Sequence, residues 1–126
     1  MVGANVFVND ANTPIAELKR QILALCRRKG WGDERGVQNP QHVAMAMTVE
    51  MSELLEHFQW LNPQDVDGLL AGKDPDRVAL IAEEFADVMM YGLQLCDALG
   101  IDVTQQILRK IEIVDQRQYG PDEPRR

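Results

Sequence analysis

Apolar residues recur along this chain at intervals of three and four, the period of an α-helix with one buried face. Ile15, Leu18, Ile22, Leu25 and Cys26 form the first such stripe, opened by Thr13-Pro14 as N-cap and first-turn proline and closed by Lys29-Gly30. After a polar loop from Trp31 to Gln38, Asn39-Pro40 starts a second helix whose pattern continues to Leu61. Asn62-Pro63 breaks it and opens a short helix through Leu70, and Asp74-Pro75 caps a third long helix that runs to Leu99 and stops at Gly100. Asp102 caps a fourth, with Val103, Ile107, Ile111 and Val114 on one side. The alternation that marks a strand is missing beyond the three residues Val6–Val8. These stripes predict an all-α protein: an antiparallel four-helix bundle with an additional short helix after Trp60. Residues 1–126 read as a single domain, with a core of about 13–119 and a loose tail at 120–126.

Two of the stripes contain residues that do not belong on them. At 100° per residue, Val43, Met47, Leu54 and Leu61 lie within about 60° of Glu50. Glu53 sits at the edge of the same face. The third long helix repeats the arrangement, with Leu80, Ile81, Val88, Tyr91 and Leu95 around Glu84 and Asp87 at the edge. Packing these stripes together gathers the carboxylates of Glu50-x-x-Glu53 and Glu84-x-x-Asp87. Their mutual repulsion would be a serious charge on a fold whose total stability is about 5–15 kcal/mol. Either they take up protons or a cation sits among them, and an all-oxygen donor set suits Mg²⁺, with Mn²⁺ as a substitute, rather than zinc. A single Glu-x-x-Glu usually marks a solvated face; two of them in the same phase on neighbouring apolar stripes point to a metal site. Glu56 and Glu83 fall off the stripes and read as solvated or paired.

Charge narrows the partners. Against 13 Lys and Arg the chain has 20 Asp and Glu, a net −7, and a pI near 4.7. That excludes a nucleic-acid polymer bound on a broad basic surface, but not a nucleotide whose phosphates meet metal ions. No apolar run reaches the roughly 18–20 residues of a membrane span, and the N-terminus has no signal-peptide pattern. Cys26 and Cys96 form no CxxC pair and read as reduced thiols of a cytoplasmic protein.

The run Glu50-Met-Ser-Glu53-Leu-Leu-Glu56-His57-Phe58-Gln59-Trp60, followed by Glu83-Glu84-Phe-Ala-Asp87-Val and Leu99-Gly-Ile-Asp102, resembles the MazG-like nucleoside triphosphate pyrophosphohydrolases. The small single-domain branch that includes dCTP pyrophosphatases is the most similar, over roughly Ile15 to Tyr119. The resemblance implies an oligomeric, Mg²⁺-dependent enzyme that converts a (deoxy)nucleoside triphosphate, dCTP or a related pyrimidine or modified nucleotide, to the monophosphate and pyrophosphate, a house-cleaning role in the nucleotide pool. It matches Glu50, Glu53, Glu84 and Asp87 to the metal-binding carboxylates, with Glu53 also orienting or deprotonating the attacking water. Trp31 and Trp60 correspond to walls of the base pocket, although either is also suited to core packing. Tyr91 is a candidate donor to phosphate or sugar, or else a core tyrosine. Lys110 occupies the fourth-helix lysine position, implying a phosphate contact and a catalytic part, and Arg117 lies two turns further along roughly the same face.

The sequence also departs from the family pattern. Val114 or Asp115 stands where an asparagine is usual, and His42 replaces another asparagine and either touches substrate or caps the turn. The segment from Gly32 to Gln38 is longer than the family norm and lacks its phenylalanine. Three other readings share the acidic cluster. A phosphoribosyl-ATP pyrophosphohydrolase would lack the Trp60 block. A di-iron bundle wants Glu-x-x-His on two helices, whereas the only nearby histidine is His57, four residues after Glu53. A non-catalytic, metal-binding helical oligomer would show no turnover. Leftover apolar helix surface, including several of the six methionines, predicts a homodimer or homotetramer.

Overall fold

The computed structural model describes residues 7–117 as five helices, with no strand among the described residues. They are α1 (Ile15–Lys29), α2 (Pro40–Glu56), α3 (Pro63–Leu70), α4 (Pro75–Ala98) and α5 (Val103–Asp115). The expected tail at 120–126 lies outside the described residues.

Capping side chains set four of the five starts. Asn39 Oδ1 accepts from the backbone of Gln41 at 2.8 Å and His42 at 3.3 Å, which occupies two of the donors a helix start leaves open. Asn62 and Asp65 form a reciprocal capping box. Asp74 accepts from Arg77 N and Asp102 from Gln105 N. α1 differs from the sequence expectation: Pro14 itself is the N-cap, with no side-chain bond, and the Thr13 hydroxyl lies against Asn12 instead.

α2 also ends earlier than its apolar pattern, at Glu56 rather than Leu61. Bonds from His57 N to Leu54 O and from Phe58 N to Leu55 O tighten the last turn. Arg77, reaching from the start of α4, holds the His57 carbonyl at 3.4 Å. Pro63 then requires an extended Asn62, whose φ and ψ are −90° and 171°. Leu61 therefore leaves the stripe of Glu50.

α2 and α4 are the main packed pair, with α1 and α3 also against α4. Their pairings run in opposite senses: Met47 faces Gly92, while Glu50 meets Glu84 and Asp87 further down α4. A Cβ on Gly92 would lie 3.3 Å from Met47 Cε, so the flexible tip of Met47 packs against bare backbone there. α1 is likewise antiparallel to α4, tied by Cys26 near Gln94 at one level and by Lys19 Nζ to Ile101 O, 2.7 Å, at the other.

The loop between α1 and α2 is tightly folded. Gly30, at φ 72°, lets Gly30 N and Trp31 N return to the carbonyls of Arg27 and Cys26, a Schellman-type closure that fixes where Trp31 leaves the helix. Asp33 accepts from the backbone N–H groups of Arg35 and Val37. Gly36 is buried with φ 82°, and a Cβ there would meet Leu23 O at 2.7 Å.

The enclosed core is small. Cys26, Val43, Val88 and Leu93 are the buried apolar side chains among the described residues. α5 has no comparable packing against the other helices, and Ile107, Leu108 and Ile111 are each more than half exposed.

Gly36→Ala tests the loop. The left-handed backbone alone costs about 1–2 kcal/mol for a residue with a side chain, and the contact with Leu23 O adds to it. We expect the denaturant midpoint to fall accordingly with an unchanged slope.

Candidate active site

Glu50 and Glu84 project from α2 and α4 into the seam between those helices, and both are partly buried. Glu50, Glu84 and the exposed Asp87 each offer an oxygen within 4.8 Å of the other two. Glu53 is exposed and stands outside that trio, near enough for its charge to act on both glutamates. The phases of the two motifs explain the convergence. On each helix the glutamate lies on the packed face, and the residue three positions later sits at the edge of the same seam.

The cluster is not electrostatically settled. Glu50 Oε2 and Glu84 Oε2 are both buried and without a hydrogen-bond partner, a costly state for carboxylate oxygens. The Glu50 carboxyl is held above the usual 4.5, first by burial and then by Glu53, Asp87 and Glu84. Glu84 is raised in the same way, by burial and then by the charges of Glu53 and Asp87. His57 Nε2, 4.0 Å from Glu84 Oε1, is the cation nearest to hand when protonated, and it opposes that rise. Unpartnered oxygens, converging acids and an absence of sulfur or nitrogen donors within the group fit a hard divalent cation such as Mg²⁺ or Mn²⁺.

Beside these acids is a cleft of about 330 Å³ lined by Leu25, Trp31, Gln38, Glu50, Asp87, Met90, Tyr91 and Gln94. Its α4 wall is a single line of residues at helical spacing, Asp87, Met90, Tyr91 and Gln94. Trp31 is half exposed at its edge.

The structure therefore brings Trp31 and Tyr91 to the acidic cluster and leaves other sequence candidates elsewhere. Trp60, in the turn after α2, is 85% exposed and does not line the cleft. His42 is exposed on the first turn of α2, with its backbone N–H on the Asn39 cap. Lys110 lies on α5 in a shallow apolar groove with Ile107, Ile111, Val114 and Asp115, and Arg117 is exposed just beyond that helix. Sequence reasoning missed Gln38 and Gln94. For Gln94 the signal was available: it lies seven residues after Asp87, hence on the same side of α4.

A MazG-like family profile matches residues 45–123, a span that holds all four carboxylates. The chain belongs to the MazG-like family. Among curated proteins, the MazG-like chain is 32% identical over 105 residues to dCTP pyrophosphatase 1 of Bos taurus, covering 83% of this chain and 59% of that one. It is 31% identical over 105 residues to dCTP pyrophosphatase 1 of Homo sapiens, covering 83% and 58%. This MazG-like chain thus spans about three-fifths of the length of the curated relatives it matches.

The raised carboxyls make a pH prediction. Glu50 and Glu84 bind protons more tightly folded than unfolded, so the metal-free fold loses stability as pH rises from about 4.5 through their raised values. Thermal melts of metal-free protein should fall across that range. Glu50→Gln should flatten the fall and raise the melting temperature at neutral pH. A flat wild-type profile would contradict this account.

Proposed function

We propose that the protein is a metal-dependent nucleoside triphosphate pyrophosphohydrolase, acting on dCTP or a related pyrimidine or modified nucleotide and releasing the monophosphate and pyrophosphate. The observation that carries the reading is the pair of buried, unpartnered oxygens on Glu50 and Glu84, converging with Asp87 at the mouth of a cleft edged by an aromatic ring. The MazG-like match and the resemblance to dCTP pyrophosphatases support it.

Four carboxylates would repel a triphosphate unless a cation intervened. Glu50, Glu53, Glu84 and Asp87 are the residues that would hold it. A bound Mg²⁺ would neutralise phosphate oxygens and make a coordinated water more acidic. In this reading Glu53, exposed near the two partly buried glutamates, would orient the attacking water and accept its proton. The water oxygen bonds to the α-phosphorus, and the bond from that phosphorus to the oxygen bridging the β-phosphate breaks. Trp31, at the cleft edge, would offer a face for the base, and the Tyr91 hydroxyl would donate to phosphate or sugar.

The same reading includes assembly. The exposed faces of α5 (Ile107, Leu108, Ile111) and of the α2–α4 pair (Val49, Phe85) match what a second copy of the chain would cover. The fourth-helix packing predicted from the sequence is then completed between copies, as a homodimer or homotetramer. His42, Trp60, Lys110 and Arg117 would join the site only from such a neighbour. No helix of the described residues is long and apolar enough to cross a membrane.

With Mg²⁺, wild-type protein should release pyrophosphate from a panel of nucleoside triphosphates. Glu50→Gln and Asp87→Asn should each lose at least about a hundredfold in kcat. Unchanged turnover in either variant would sink the metal-site reading. Sedimentation should show a dimer or larger, and Ile111→Glu should shift it toward monomer. A stable wild-type monomer would contradict the assembly.

A further inference from the structure

The end of the cleft away from the carboxylates contains two amides that the hydrolysis of a triphosphate does not require. Gln94 is more than nine-tenths buried, a polar side chain between the apolar Leu93 and Leu95. Its Oε1 accepts from Gln38 Nε2 at 2.7 Å, and the Cys26 Sγ lies 3.7 Å from the same oxygen. Gln38 Nε2 is also 4.0 Å from that sulfur. The thiol and the Gln38 amide thus both point donors at one oxygen, which orients the Gln94 amide.

A glutamine side chain has two N–H donors and one carbonyl acceptor. With the inner bond made, the Gln94 amide N–H groups and the Gln38 carbonyl oxygen have no protein partner among the described residues. Neither atom is walled in, because the sealed and unpartnered side-chain atoms there are the oxygens of Glu50 and Glu84. Both residues line the cleft. Gln94 lies seven residues along α4 from Asp87, about 10 Å at 1.5 Å per residue. At about 330 Å³ the cleft is near the lower limit for a small-molecule site, a size for one small planar ring.

We propose that Gln38 and Gln94 read the base and select an aminopyrimidine over a diketo one. Gln94 donates an N–H to the unprotonated ring nitrogen, and the Gln38 oxygen accepts from the exocyclic amine beside it. A cytosine-type edge presents that acceptor and donor side by side. A uracil-type edge reverses them, setting a carbonyl against the Gln38 oxygen and a ring N–H against the Gln94 amide. Sites built to hydrogen-bond a ligand reject an analogue that leaves their buried groups unpaired. The inference rests on the reading of the carboxylate end as the triphosphate site.

Steady-state kinetics of the full chain on dCTP and dUTP, with Mg²⁺, separate the two. Wild-type protein should prefer dCTP. Gln94→Met, which keeps the volume, and Gln38→Leu, in the loop, should each lower kcat/KM for dCTP about tenfold, mainly through KM. Activity on dUTP should change by less than about threefold, so the preference collapses. Equal wild-type activity on both substrates, a preference for dUTP, or an unaltered ratio in both variants overturns the inference and leaves the hydrolase reading standing. A wild-type protein that hydrolyses no nucleoside triphosphate overturns both.

Discussion

Carboxylates forced together on the seam of two helices are the constraint around which this structure is organised. Glu50 and Glu84 occupy positions where α2 and α4 pack, and each has an oxygen that is buried and has no partner. The protein tolerates this arrangement only by proton uptake or by a cation, since among the described residues no lysine or arginine forms an ion pair with Glu50, Glu84 or Asp87. A divalent ion held there would relieve that tension, and its affinity would then be coupled to a preformed scaffold. The acidic surplus of the sequence is therefore no obstacle to a nucleotide ligand, because part of it is turned inward.

The scaffold holds the cluster with few contacts. Gly92 leaves room for the tip of Met47 between α2 and α4, and Arg77 holds the far end of α2 through the His57 carbonyl. The closure at Gly30 and the folded loop that follows place Trp31 and Gln38 over the same cleft that Asp87 and Tyr91 border from α4. Three separate stretches of chain thus meet at one site, and the cleft grades from anionic at Asp87 to neutral and amide-lined at Gln94.

Much of this was legible in the sequence, for local reasons. Asn39-Pro40, Asn62-Pro63, Asp74-Pro75 and Asp102 announce helix starts because the capping bond is made within three residues. The convergence of Glu50 with Glu84 and Asp87 follows from their phase on two apolar stripes. What was not legible depends on distant partners. The end of α2 is held by Arg77, twenty positions from the carbonyl it bonds, whereas the apolar pattern runs on past it to Leu61. The outward position of Trp60 follows from that early end. The pairing of Gln38 with Gln94 spans 56 residues, and neither residue announces its partner. The exposure of α5 reflects apolar faces that one copy does not cover.

The most direct test is a crystal grown with Mn²⁺ and measured for its anomalous signal. A peak bounded by oxygens of Glu50, Glu84 and Asp87, lost in Glu50→Gln, is the predicted result. Manganese absent from that seam, with the carboxylates instead paired to one another through shared protons, would contradict the account.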